Sequence, residues 1–486
     1  MKKWIIAVSA VFFLVWTGDS DAVRASFKLD RIDPGPTPFI SFITLKISDP
    51  AALASIKFTV RPKPLSQTRA IAATYSSAYL QSNDYFNVRN GRLTLPVFGL
   101  YQNFSNTVTA RSRFTDGTSQ QQTFTVATGD FAGGIFDTPT IVQARFPDTT
   151  LSYDFMLLKS VILDSTPVII DSDAEIRWVG TAPVKSEDSI LFENGVYVGD
   201  GTSLIRQEFD GRYETLASYG SLGVTGFHHN FDFGRDGIIM DVDTLDWTEC
   251  VNIEVDGAGN VLRTWNLAEI ISAAMIAGGD NPDDFLQPAP ADWFHNNATA
   301  YRKSDDSLIV SSRENFVIAI DYDTGAIKWI LGDPTKHWYQ FPSLRAFSLT
   351  LGPESLPPIG QHAVSFFHDE LLLFDDGAGS VYQQPPGETR TYSAPRRYAI
   401  AGNTATEVWH YLADPPIYSP FCSSVYEDAA NNYFIDYTLA GPNISTDLVG
   451  LDATGSVAFY YQYPLVISCG TAWNAVPIHL EDLRFN

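Results

Sequence analysis

The sequence predicts an all-β protein, a six-bladed β-propeller preceded by a small N-terminal β-sandwich domain. Three observations predict it. Between residues 27 and 130 apolar and polar residues alternate in short β-branched runs, with no helical period. Beyond residue 140 a unit of four short strands recurs at a spacing of about 40 to 60 residues, the signature of propeller blades. The chain, at 486 residues, is too long for one ordinary domain and suits a repeat architecture plus a smaller module.

The N-terminal runs "FISFITLKI", "SIKFTVRP", "RLTLPVFGLY", "NTVTARSRF" and "QQTFTVAT" read as half-buried strands separated by turn residues. The Gly-rich stretch "ATGDFAGGIFDTPT" (127–140) reads as a linker. After it, "DSLIVSSRENFVIAIDYDTGAIKWILG" shows the repeated unit best: an apolar strand, a second strand, a "DTG" turn and an aromatic closing strand. Further copies start at "GIIMDVD", "ELLLFDDG" and "NYFIDYTLA", and weaker ones span 140–180 and 186–220. Such units are too short to bury a core alone, which favours blades over tandem sandwiches. "LAEIISAAMIAGG" (267–279) is the one convincing helix, an insertion between units.

Hydrophobic residues make up 45% of the chain, enough for a sizeable core. The net charge of −24, with no basic run, argues against a nucleic-acid partner, and it means that an anionic ligand needs a local positive pocket. The start, "MKKWIIAVSAVFFLVWTGDSDAVRA", has two lysines, an apolar run and small residues, the pattern of a secretory leader ending near Ala22 or Ala25. The expected organisation is therefore a leader at 1–25, a sandwich at 26–130 and a propeller at 131–486, in a periplasmic or secreted protein with no membrane span once the leader is cleaved. Of three cysteines, Cys422 and Cys469 either pair, leaving Cys250 a free core thiol, or all three are free.

The eight histidines are not scattered evenly. Aligning the units on their first apolar strand puts His229 nine residues before Ile238, His362 nine before Leu371, His295 thirteen before Leu308 and Ser424 nine before Tyr433. In a propeller, corresponding positions on successive blades meet at one mouth of the central channel. His228 competes with His229, because a shift of one residue swaps the side chain that faces the channel. His337, His368, His410 and His479 fall at turns or late strands and read as structural. Two chemistries suit converging imidazoles. One is a zinc site. Against it, Arg313 follows the His295 blade's inner strand in "SLIVSSR", and no Asp or Glu occupies a corresponding position. The other is an anion site in which Arg313, His295 and the Asn297 amide hold a tetrahedral oxyanion while an unprotonated histidine acts as nucleophile. The anion site is the expectation, with no metal and no cofactor.

At these residues the chain resembles the bacterial aryl-sulfate sulfotransferases. "DWFHNNATAYRKSDDSLIVSSRENFVIAIDYDTGAIKWILGDP" carries the most specific likeness, "GQHAVSFFHDELLLFDDG" resembles the family's nucleophile-bearing segment, and "LPVFGLYQNFSNTVTARSRFTDG" the end of its N-terminal sandwich. The resemblance implies exported enzymes that are independent of PAPS and move a sulfuryl group from an aryl sulfate to a phenolic acceptor through a sulfohistidine. By position it implies His362 as nucleophile, with His295, Asn297 and Arg313 on the sulfuryl oxygens, His229 near the phenol oxygen, and Ser424 as a small hydroxyl residue beside the substrate. It also implies a homodimer. Two departures stand out: "HHN" replaces the usual "HHD", and 340–361 lacks the cysteines of the family's short-range disulfide. They keep two alternatives open, an exported non-catalytic binding propeller and an aryl sulfatase that uses water as acceptor.

Overall fold

The computed structural model describes residues 25–132, 134–147, 149–162, 167–442 and 444–486. The leader expectation thus falls almost wholly on residues outside the described ones. The protein is all-β, and alternation dictates its first domain. Strands Ile40–Ile47, Leu53–Val60 and Arg92–Phe98 send every second side chain inward, so Ile43, Leu45, Phe58, Leu93 and Leu95 form a dry layer between a four-stranded and a five-stranded sheet. A six-residue helix, Ser77–Ser82, interrupts this domain; Ser76 caps it by accepting from the Tyr79 amide. The chain's last strand, Leu483–Phe485, returns to pair in parallel with Ile71–Ser76, so residues expected to belong to the repeats finish in the first domain's sheet.

Six further sheets of four or five strands follow among the described residues, antiparallel but for the parallel pair Thr350–Leu351 with Thr404–His410. Their inner strands are nearly continuous runs of buried side chains, as in Val168–Asp171 and Ser307–Ser312, because each sheet is covered on both faces by its neighbours. The first and last sheets borrow strands from the far end of the sequence. Asn474–Ile478 pairs with Phe155–Lys159, and Thr140–Gln143 pairs with Val457–Pro464. The leading strands of successive sheets pack on one another in order: Ser189–Phe192, Val224–Phe233, Asn296–Arg302, His362–Phe367, Ser424–Ala429 and Asn474–Ile478.

The expected helix is Leu267–Gly278. It buries Leu267, Ile271 and Met275 on one stripe, is capped by Asn266 and stops at left-handed Gly279. Arg177 ties the first domain to the sheets: its guanidinium pairs with Asp171 at 2.9 Å and donates to the Gly99 carbonyl at 2.6 Å, all buried. Cys422 and Cys469 are joined in a disulfide, and Cys250 is a buried free thiol.

Candidate active site

Three leading strands break at the same level. The ladder slips between Phe227 and Phe231, between Asn296 and Ala298, and between His362 and Ser365. In or just before each bulge stands a left-handed residue, His229 (φ 59°), His295 (φ 54°) and Ala363 (φ 53°). A bulge re-aims the side chain beside it, at a cost in backbone strain. Here the strain brings three imidazoles together. One ring nitrogen from each of His229, His295 and His362 lies within 4.8 Å of the others, and His229 Nε2 is 3.1 Å from His295 Nε2.

Each imidazole is fixed from behind. His362 Nδ1 lies 3.1 Å from the Gly360 carbonyl and 2.7 Å from Asp376. A carbonyl only accepts, so Nδ1 carries the proton and the Nε2 lone pair is left toward the other histidines. Burial, with the charges of Arg313 and His295, pushes His362 well below the usual imidazole range. His229 is likewise pushed well down by burial and by the neighbouring His295. His295 goes the other way. Burial lowers it, but Glu249 at 3.1 Å and a hydrogen bond to Asp292 outweigh that and raise it. Between the two, the carboxylates therefore favour a proton on His295 over one on His229.

Arg313 is 3% exposed and held rigidly. Its Nη1 meets Glu314 at 2.5 Å, its amide donates to the His295 carbonyl, and its guanidinium lies 4.6 Å over the Phe421 ring. Glu314 is in turn held by the amides of Val381 and Tyr382, and Lys336 bonds the carbonyls of both Arg313 and Glu314. Arg313 Nε and Nη2 are buried with no protein partner among the described residues. Such donors suit an anionic guest.

Asn297, 1% exposed, donates to the Gln361 carbonyl beside His362 and keeps its second amide hydrogen. His228 is turned out of the cluster. Both its nitrogens meet carboxylates, Asp243 at 2.7 Å and Glu249 at 2.8 Å; burial opposes these bonds, yet they hold the ring protonated up to about 12. Ser424 does not join the histidines either: its hydroxyl is shared with the backbone of Ala475.

Sequence reasoning missed four groups. Glu249 backs three histidines from the bend between Ile238–Thr244 and Val251–Val255, and Trp473 packs tilted against His229, 4.8 Å between ring centres, while donating to its carbonyl. Neither carried a local signal. Asp292 and Asp376 did, inside "DWFHNN" and "LLLFDDG". No Asp or Glu occupies a position corresponding to the histidines, yet carboxylates do accompany them: they arrive from loops and from Asp243, where counting along the repeat does not look. The three-histidine spacing would also suit a transition metal, but Arg313 lies close enough to depress His229 and His362, and its charge would oppose a cation.

Comparison with known proteins follows the same residues. A family model described as Arylsulfotransferase (ASST) matches residues 141–459, and one described as Arylsulfotransferase Ig-like domain matches 45–129. The chain belongs to the arylsulfotransferase family. All of the site residues named above except Trp473 lie inside the longer match. Arylsulfate sulfotransferase AssT of Escherichia coli O6:H1 is 27% identical over 236 residues, 37% of this chain and 38% of that protein. AssT of Lelliottia amnigena is 28% identical over 221 residues, 36% of each. The matched stretches thus span well under half the length of these arylsulfotransferase relatives. The crystal structure of the computationally designed Ika8 protein superposes with a TM-score of 0.31 at 10% identity, over 73% of this chain and 93% of that one. That likeness is too slight to bear on the fold.

Proposed function

We propose that this arylsulfotransferase moves the sulfuryl group of an aryl sulfate to a phenol through a sulfohistidine on His362, without PAPS or another cofactor. One observation carries the reading: His362 is buried, held neutral with its Nδ1 engaged, and near enough to Arg313 to feel its charge, while Arg313 keeps guanidinium N–H groups without a partner among the described residues. In the first half-reaction the Nε2 lone pair forms a bond to sulfur while the sulfur–aryloxide bond breaks. Arg313, His295 and Asn297 hold the three peripheral oxygens, where charge builds up, and the leaving aryloxide takes a proton from the His229–His295 pair. In the second half an incoming phenol returns a proton to that pair as its oxygen attacks sulfur, and the nitrogen–sulfur bond breaks.

The same reading takes the six sheets as blades of one propeller, at 131–486, behind a sandwich at 26–130. The ordered packing of the six leading strands and the borrowed strands at both ends support a closed ring. Export of the protein behind a leader at 1–25 to the periplasm or beyond is part of the proposal; among the described residues no helix is long and apolar enough to cross a membrane. The test is initial-rate kinetics with p-nitrophenyl sulfate and a phenol. Parallel lines at varied donor and acceptor support the two half-reactions, and intersecting lines overturn them. Release of p-nitrophenol that no phenol accelerates would instead assign water as the acceptor. The histidine spacing favours a second reading, a bound metal, and that reading requires chelator-sensitive activity.

A further inference from the structure

We infer that the channel between the leading strands holds a second site, apart from the histidines, for a small neutral aromatic compound bearing a hydroxyl group. Below the bulges the leading strands continue away from the imidazoles and enclose a cavity of about 530 Å³. That volume lies within the range of small-molecule sites. Its walls are apolar and aromatic, from Leu157, Ile190, Phe231, Tyr301, Val364 and Phe366, and Phe233, 58% exposed, stands at its edge.

A belt of amides separates this space from the histidines. Lys159 donates to Asn230 Oδ1 at 2.8 Å; Asn230 also accepts from Asn474 and donates to the Asn297 carbonyl. Three polar groups of the cavity lining lie beneath that belt, while His479, also of the lining, is half exposed and paired with Asp428 at 2.8 Å. Lys159, 1% exposed, keeps two N–H groups beyond its bond to Asn230. Asp232 is anchored through Oδ2 by the amide and hydroxyl of Thr299, at 2.8 and 3.1 Å, which leaves Oδ1 to the cavity. The Tyr426 hydroxyl accepts from Asn474 at 2.9 Å and retains its own proton to donate.

These groups select the ligand's chemistry. The ammonium and the carboxylate offset each other, so the pocket offers a donor and an acceptor with little net field. A hydroxyl uses both, and the aromatic walls take the ring. An aryl sulfate is disfavoured here, because the offset pair supplies no net positive charge to balance the cost of burying its own. The channel then sorts its guests: anions at the histidines, neutral aryl alcohols below the belt. The assignment rests on the cavity itself and stands whether or not the histidines transfer sulfuryl groups.

The probe is 2-naphthol, titrated by its fluorescence against the full chain. Wild type and His362→Ala should bind it alike. Ser365→Trp, which fills the cavity, should weaken binding at least about tenfold, and Tyr426→Phe or Asp232→Asn by roughly five- to tenfold, the range for one lost hydrogen bond. If Ser365→Trp does not fold, as judged by circular dichroism, the two near-isosteric variants decide alone. Absence of binding to wild type overturns the inference. So does binding that survives the cavity variants but is lost in His362→Ala, which would put the phenol at the histidines.

Discussion

Replacing Arg313 with lysine separates the shape of the guanidinium from its charge. The arginine keeps Nη1 on Glu314 and leaves Nε and Nη2 for a guest; its guanidinium lies over the Phe421 ring, and its backbone amide is fixed on the His295 carbonyl. A lysine keeps the positive charge but cannot hold Glu314 and also present two N–H groups in one plane. Removing one preorganised donor to a developing oxyanion typically lowers kcat by about 10²–10³, or about 2.7–4 kcal/mol. With the charge retained, Arg313→Lys is therefore expected to fall by about 10²-fold in kcat and to stay active. The assay is p-nitrophenol release from p-nitrophenyl sulfate at saturating phenol, alongside thermal unfolding to show an intact fold. A variant within a factor of about three of wild type would refute the two-pronged clamp. If, in addition, the wild type is inactivated by EDTA, the metal reading replaces it.

Other consequences follow from the same geometry. Glu249→Gln removes a carboxylate that raises His295, so a proton on His295 is lost at lower pH and the alkaline limb of the rate profile should move to lower pH; an unmoved limb would make Glu249 merely structural. Because His362 is held neutral well below 6.5 in the folded state, the unfolded chain binds the extra proton below that pH, and stability falls as pH drops. Urea unfolding should therefore show about 1 kcal/mol less acid destabilisation between pH 6.5 and 5.5 in His362→Gln than in wild type, and equal slopes would contradict a neutral His362. Breaking the Cys422–Cys469 bond by a double serine substitution opens a loop of 47 residues and should destabilise by up to about 4 kcal/mol. Phe421 and Trp473 flank that bond and touch Arg313 and His229, so kcat should fall as well, and a fully active variant would show that the disulfide does not position the site.

Much of this was legible because the repeat leaves a count. Spacings of nine and thirteen residues before an apolar strand picked out His229, His362 and His295, which the structure brings within hydrogen-bonding reach of one another or nearly so. The count failed where no bulge falls at the same level. In the next sheet the ladder runs in register from Ser424 to Glu427, the left-handed residues Cys422 and Ser423 precede it, and Ser424 turns to Ala475 instead of the histidines. A slip of one residue reverses the face of a strand, and nothing in a strand's composition announces it. The same rule settles the adjacent histidines, where the bulge sends His229 inward and His228 to Asp243 and Glu249. Glu249 and Trp473 were illegible for another reason. Their contacts are made from loops far along the chain from their partners and carry no local pattern, whereas Asp292 sits three residues before His295 and was open to inspection. The short helix Ser77–Ser82 escaped because six residues barely exceed the period that would reveal it.

The central claim is that His362 carries the sulfuryl group, and the most direct measurement is peptide mapping by mass spectrometry after brief mixing with p-nitrophenyl sulfate in the absence of phenol, with an alkaline quench. The expected result is one added sulfuryl group on the peptide containing His362, lost when phenol is added before the quench and absent in His362→Ala. A label on His229 or His295 would move the nucleophile. Full turnover with no labelled peptide at any time would contradict the covalent route altogether.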